Sequence, residues 1–242
     1  MGYQAKANSH SSALGYQADA NSYSQAFGYS AKADKDSSAI GKGSIATGQS
    51  SNAMGPYAEA TGDYSTAIGQ MSKASGENAM AMGGYTTASK NAIAMGRAAH
   101  AATNSVSIGY LADANNNANS VALGGNTRTD ADGSVVLGSY SWANRGELDH
   151  TGKHYVYHPA GYDEGIDATI KNTKGAVSVG KSGKDGFTRQ IINVAADSQD
   201  SDAVNVAQLK AVGKKVLTLK LILEMTHKFL KTGLKITLFT KV

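Results

Sequence analysis

Three histidines set four residues apart, His150, His154 and His158, form the pattern most suggestive of chemistry in this 242-residue chain. On a helix that spacing puts the imidazoles on one face, as a zinc site requires. Gly152 and Pro159, with Tyr155-Val156-Tyr157 between them, argue against a helix. On a strand the same spacing keeps them on one side, so two can still meet. The expectation is a surface loop or hairpin, with these three as a weak metal candidate that a zinc titration tests. Elsewhere no catalytic constellation emerges. There is no GxSxG, no HExxH, no phosphate loop and no calcium-binding GGxGxD run. With no cysteine, a thiolate site and a disulfide framework are both excluded. The serines recur with a fixed period, which marks them as bend and surface residues. The chain reads as a non-enzyme that needs no cofactor.

Composition points the same way. The chain has 28 glycines, two prolines, 41% hydrophobic and only 7% aromatic residues. Much of the apolar content is alanine, so a conventional globular core would be thin. Glycine does not recur every third residue, which excludes collagen. Residues 214–242 hold seven lysines and one acid, Glu224; the remainder has 16 bases against 18 acids. The sequence pI of about 9.0 therefore comes from the tail and carries no inference of nucleic-acid binding. No signal peptide is visible at the N-terminus, and no apolar run is long enough for a transmembrane helix.

Self-similarity is the main signal. A glycine follows a small–apolar pair at Gly15, Gly28, Gly41, Gly55, Gly69, Gly83, Gly96, Gly109, Gly124 and Gly138. The tetrads before them read SSAL, SQAF, SSAI, SNAM, STAI, AMAM, AIAM, SVSI, SVAL and SVVL. An Ala-x-Ala signature lies upstream, as in Ala18-Asp19-Ala20 and Ala58-Glu59-Ala60. A unit of 13–15 residues is too short for two helices, but it supplies two short strands and two bends. Stacking such coils gives a parallel β-solenoid of about ten rungs, ~4.8 Å apart. Period-2 geometry then predicts that the large column before each glycine (Leu14, Phe27, Ile40 and their equivalents) fills the interior. The alanine column beside it, from Ala13 to Ala122, would face outward and meet another protein at close range, unless alanine is merely tolerated there. Trp142, after the last clear rung, is expected to cap the interior.

The units SVSIGYLADANNNANSVALGGNT and SSALGYQADANSYSQAFGYS resemble the head repeats of trimeric autotransporter adhesins, the YadA-like heads. Residues 175–212, with TRQI, NVAA and DAVNVAQLK, are similar to that family's head-closing segment and neck. The resemblance implies an all-β, left-handed parallel β-roll, homotrimeric, ending in a neck and the start of a coiled-coil stalk. It assigns the neck to Asp202, Ala203, Val204, Asn205, Val206, Ala207, Gln208, Leu209 and Lys210. Ser201 or Asp202 is expected to cap the helix start. Where the family usually has glycine after NVAA, this chain has Asp197-Ser198.

The resemblance also assigns matrix binding to two altered copies of the family's repeat. These are Asn104, Ser105, Val106, Ser107, Ile108 and Gly109, and Asn119, Ser120, Val121, Ala122, Leu123 and Gly124. It further implies a bacterial cell surface, with the outer-membrane anchor and export signal outside this chain. The implied function is attachment to host cells or to matrix proteins of the collagen, fibronectin or laminin class, and autoagglutination. The alternative is a non-adhesive spacer or fibre segment.

The expected layout is head repeats at 1–138, an insertion or cap at 139–174, the last roll segment and neck at 175–213, and an atypical basic–apolar tail at 214–242. That tail shows no steady heptad. Permitted codons from Leu217 onward, shifted by two bases, yield polar stalk-like sequence. The residues after about Val216 are therefore expected to be a frameshift product.

Overall fold

The computed structural model describes residues 2–115, 117–146, 164–170, 173–196 and 198–232. The chain divides into two units, Met1–Asp163 with Ile170–Arg189, and Glu164–Thr169 with Gln190–Val242.

The first unit is a parallel β-solenoid. Each coil contributes a two-residue strand and a three-residue strand, and these stack into two parallel sheets of eleven strands each. The short-strand sheet runs from Lys6–Ala7 to Trp142–Ala143, and the long-strand sheet from Ser12–Leu14 to Val177–Ser178. The register is strict. Thr66, Ala67 and Ile68 align with Met80, Ala81 and Met82 one coil later. Lys73 and Ala74 likewise align with Thr87 and Ala88.

The two bends of each coil have different chemistry. The glycine bend follows the long strand. At Gly69, φ is +125° and a Cβ would lie 2.6 Å from the backbone of Gly83 in the next coil. The bend's glycine is thus required twice, by its own backbone and by the rung above. Two residues on, the chain enters the left-handed region, often with a bulky side chain: Tyr57 (φ 56°), Met71 (55°), Tyr85 (63°) and Leu111 (53°). Each such residue costs about 1–2 kcal/mol, and the stacked backbone hydrogen bonds around it sustain the conformation. Tyr57 N–H donates to Lys42 O at 2.8 Å and Tyr85 N–H to Gln70 O at 2.9 Å. The second, polar bend follows the short strand and favours asparagine at its left-handed position, as at Asn78, Asn91, Asn104 and Asn119. Asparagine tolerates that conformation better than other non-glycine residues.

The interior is lined by small side chains, contrary to the sequence expectation. Ala26, Ala39, Ala53, Ala67, Ala81 and Ala94 are fully buried, as are the serines that open several tetrads, such as Ser51 and Ser65. Among the described residues, the largest fully buried side chain is Val136. Leu14, Met54 and Ile108, expected inside, instead point outward with exposures of 58%, 43% and 42%. The two short walls are bridged by tight bends and stand too close together for a leucine. Several buried serines turn their hydroxyls back on the coil: Ser37 Oγ donates to Ala46 O at 2.6 Å and Ser51 Oγ to Ala60 O at 3.1 Å.

The predicted cap is also displaced. Trp142 lies on the outer face of the short-strand sheet, where its Nε1–H donates to Asp130 Oδ2 at 2.8 Å and the Arg128 guanidinium lies 5.5 Å from its ring. The C-terminal end of the solenoid is closed by Arg189. Its Nη1 donates to Ser141 Oγ and Val179 O, both at 2.6 Å, and its Nη2 donates to Ser139 O at 2.7 Å. The guanidinium also lies 4.8 Å from the Phe187 ring centroid. Val177 resumes the long-strand sheet by aligning with Val135.

The second unit holds two helices, α1 (Glu164–Ala168) and α2 (Val206–Thr232). The start of α2 is capped by Asn205 rather than by Ser201 or Asp202. Gln208 N–H donates to Asn205 Oδ1 at 3.0 Å, and Asn205 N–H donates to Gln208 Oε1 at 3.1 Å, a reciprocal capping box. Asp202 instead accepts from Gln199 N–H at 2.9 Å. Helix α2 crosses Val216 without interruption. Leu209, Val212, Val216, Leu219 and Leu223 follow alternating steps of three and four along it, all exposed. That spacing is heptad-like for two heptads and stops at Thr226, within a helix that carries apolar residues on its other faces as well. Among the described residues, no helix is long and apolar enough to cross a membrane.

Candidate binding surfaces

One backbone ladder carries two unlike outer faces. On the long-strand sheet the last residue of each strand is large and apolar from Leu14 to Leu137. The first residue shares its side of the sheet. It is polar early, at Ser12, Gln25 and Asn52, and apolar later, at Met80, Ile93, Val106, Val121 and Val135. The face is therefore a continuous apolar strip that broadens toward the C-terminal rungs. On the short-strand sheet the outward column reads Lys6, Asp19, Lys32, Ile45, Glu59, Lys73, and then Thr87, His100, Asp113, Arg128. Opposite charges sit on adjacent rungs, and Lys73 Nζ lies 2.9 Å from Glu59 Oε2. Thr87 Oγ1 is 2.6 Å from His100 Nδ1.

The bends carry ladders of their own. On the polar bends Asn78, Asn91, Asn104 and Asn119 form a run of side-chain amide hydrogen bonds, each 3.2 Å. On the glycine bends Tyr3, Tyr16 and Tyr29 stack with centroid separations of 5.5 and 5.1 Å. Further along, Lys42 lies 6.0 and 5.6 Å from the rings of Tyr29 and Tyr57. Arg97 lies 5.9 Å from both Tyr85 and Tyr110.

The residues singled out from the sequence are distributed across these features. Of the two matrix-binding copies, Ser105, Ser107, Ser120 and Ala122 are fully buried. Ser107 Oγ donates to His100 O at 2.6 Å. Asn104 and Asn119 are joined in the amide ladder, and Gly109 stacks on Gly124, where a Cβ would meet the backbone at 2.5 Å. Val106, Ile108, Val121 and Leu123 belong to the apolar outer strip. The neck residues Val206 to Lys210 form the first turn and a half of α2, and Asp202 to Asn205 lead into it. His150, His154 and His158 lie outside the described residues. Among those described, no group of three or more potential metal ligands occurs. Arg189, which closes the solenoid, was not singled out from the sequence; its place in TRQI was the available signal.

A tightly stacked parallel solenoid with a small-residue interior and one apolar outer face is a repeat architecture suited to a surface fibre. The family model described as "YadA head domain repeat (2 copies)" matches residues 60–86, 102–127 and 116–141. Autotransporter adhesin BadA of Bartonella henselae is 67% identical over 42 residues, 17% of this chain. Trimeric autotransporter adhesin AtaA of Acinetobacter sp. (strain Tol 5) is 60% identical over 53 residues, 22% of this chain. The matched segments span about 1% of the length of each of these curated relatives. The crystal structure of the collagen-binding domain of Yersinia adhesin YadA superposes with a TM-score of 0.52 at 26% identity, over 88% of this chain and 89% of that one. With the coil geometry, these similarities show YadA head repeats within residues 60–141 and a likeness to the trimeric autotransporter adhesins.

Proposed function

We propose that this chain is the head of a bacterial surface adhesin that works as a homotrimer and attaches to extracellular matrix or host cells. The observation that carries the reading is the unequal pair of outer faces. The interior buries mainly methyl-sized groups, each contributing about 0.8 kcal/mol. The large aliphatic side chains remain outside, where burying one adds about 1.5–3 kcal/mol. Three copies that turn their apolar strips toward a common axis bury that surface and leave the charged short-strand faces outward. Each rung then displays its polar surface three times, so weak contacts sum to useful avidity. The similarity to a structure titled a collagen-binding domain supports a matrix protein as ligand, of the collagen, fibronectin or laminin class. Display on the outer membrane, through an anchor elsewhere in the full protein, follows from the same kinship.

The two copies at 104–109 and 119–124 are proposed to influence matrix binding through the rungs they build, since half of their side chains are buried or spent in ladders. Ser107→Leu is then expected to lose local folding and binding together, and Ser107→Ala to keep both. The frameshift reading of the tail after about Val216 remains a proposal, which the coding DNA tests directly.

The deciding experiment for adhesion is binding of the purified protein to immobilised collagen, fibronectin and laminin. Saturable binding to at least one supports the adhesin reading. No binding across the panel favours a spacer.

A further inference from the structure

The outward column of the short-strand sheet ends unlike it begins. Early in the column Lys6, Asp19 and Lys32, and later Glu59 and Lys73, set opposite charges on adjacent rungs. Near the C-terminal end Arg128 aligns with Trp142. Backbone bonds then extend the column by one step. Arg128 N–H donates to Ser141 O, the carbonyl just before Trp142, and Trp142 N–H donates in the same way to Gly180 O, just before Lys181. Lys181 therefore stands next in line, and the column closes as cation, indole, cation. A two-way backbone bridge with Phe187, at 3.0 and 2.9 Å, holds the Lys181 main chain in place.

Arg128, Trp142 and Lys181, with Asn126, Tyr140 and Ser141, line a cleft of about 260 Å³. The indole and the Tyr140 ring give it apolar walls, while the Asn126 amide and the Tyr140 phenol offer hydrogen bonds. The neighbouring carboxylate is already committed. Asp130 Oδ1 accepts from Arg128 Nε at 2.6 Å and its Oδ2 accepts from Trp142 Nε1 at 2.8 Å. Among the described residues, the Arg128 Nη groups and the Lys181 ammonium have no hydrogen-bond or ion-pair partner. The main-chain N–H groups of all six lining residues are bonded within the solenoid. An acidic peptide would thus find no main-chain donors here, and recognition falls to side chains.

We propose that this cleft binds an acidic sugar residue, carboxylated or sulfated, of a polysaccharide. Lys181 and the Arg128 Nη groups hold the anion by charge-assisted hydrogen bonds. The aromatic walls cover the apolar face of the sugar ring, and Asn126 takes a hydroxyl. The site belongs to a single chain, so it stands or falls apart from the homotrimer and matrix-protein readings.

Trp142 is the only tryptophan, so intrinsic indole fluorescence reports on this cleft alone. The purified protein is titrated with a heparin tetrasaccharide, a hyaluronan tetrasaccharide and neutral maltotetraose. A saturable change is expected with at least one acidic sugar and none with maltotetraose; the responding sugar distinguishes sulfate from carboxylate recognition. Lys181→Ala is expected to weaken binding about tenfold. Lys32→Ala removes the same charge far along the column and is expected to leave binding unchanged, with both variants matching the parent in circular dichroism. A flat signal with both acidic sugars overturns the site. So does an equal response to maltotetraose or to inorganic sulfate alone, or an equal effect of the two substitutions.

Discussion

The two sheets of the solenoid share a backbone, a period and a fully buried inner lining, yet their outer faces have opposite fates. The short-strand sheet ends in Lys6, Asp19, Lys32 and Glu59 and is at ease in water. The long-strand sheet ends in Leu14, Ile40, Met54 and Ile108, which the single chain leaves substantially exposed. A repeat this short has nothing left with which to cover its own apolar side. The difference teaches why association is proposed: a small-residue interior is complete in one chain, whereas the apolar face gains only from a second copy.

The comparison can be broken most severely from inside. Ala67→Leu places an isobutyl group in a space that admits a methyl and should cost about 3 kcal/mol, read as a lower urea midpoint. The same leucine one coil earlier and one position back in the alternation, as Asn52→Leu on the outer side, should fold normally. Next in size is the loss of association. Ile68→Asp with Met82→Asp is expected to convert the proposed trimer to a monomer in sedimentation while the β-type circular dichroism persists. A trimer surviving this pair of charges would place the contact elsewhere. Arg189→Ala removes three donor contacts and the stack on Phe187 at the end of the solenoid, and should destabilise it by about 2 kcal/mol, seen as earlier hydrogen exchange around Ser139–Ser141. The smallest effect belongs to the polar face. Lys73→Ala breaks the exposed pair with Glu59 and should change stability by less than about 1 kcal/mol, with no change in assembly.

Much of this was present in the letters, including the point first misread. In the tetrads the second residue lies on the same side of the strand as the fourth. Gln25 and Asn52 occupy that second position, so the side they share with Phe27 and Met54 cannot be the sealed interior. The heptad steps from Leu209 to Leu223 were also legible, but additional leucines and isoleucines around the helix obscured them. The helix cap was harder, because Ser201, Asp202 and Asn205 all qualify by type; the reciprocal bonds with Gln208 select Asn205. Trp142 was ambiguous for a related reason. An indole suits a cap by its size, and only the position of Asp130 at 2.8 Å draws its N–H outward.

What the amino-acid order determined alone is the period, the bends and the solenoid. These are local consequences: glycine where a left-handed turn must pass under a neighbouring carbonyl, and alternation wherever a strand has two sides. What only the tertiary structure decided is the separation of the two walls, which no single strand encodes. Once the bends drew them together, methyl groups sufficed to fill the gap, and every larger aliphatic side chain was left on the outside.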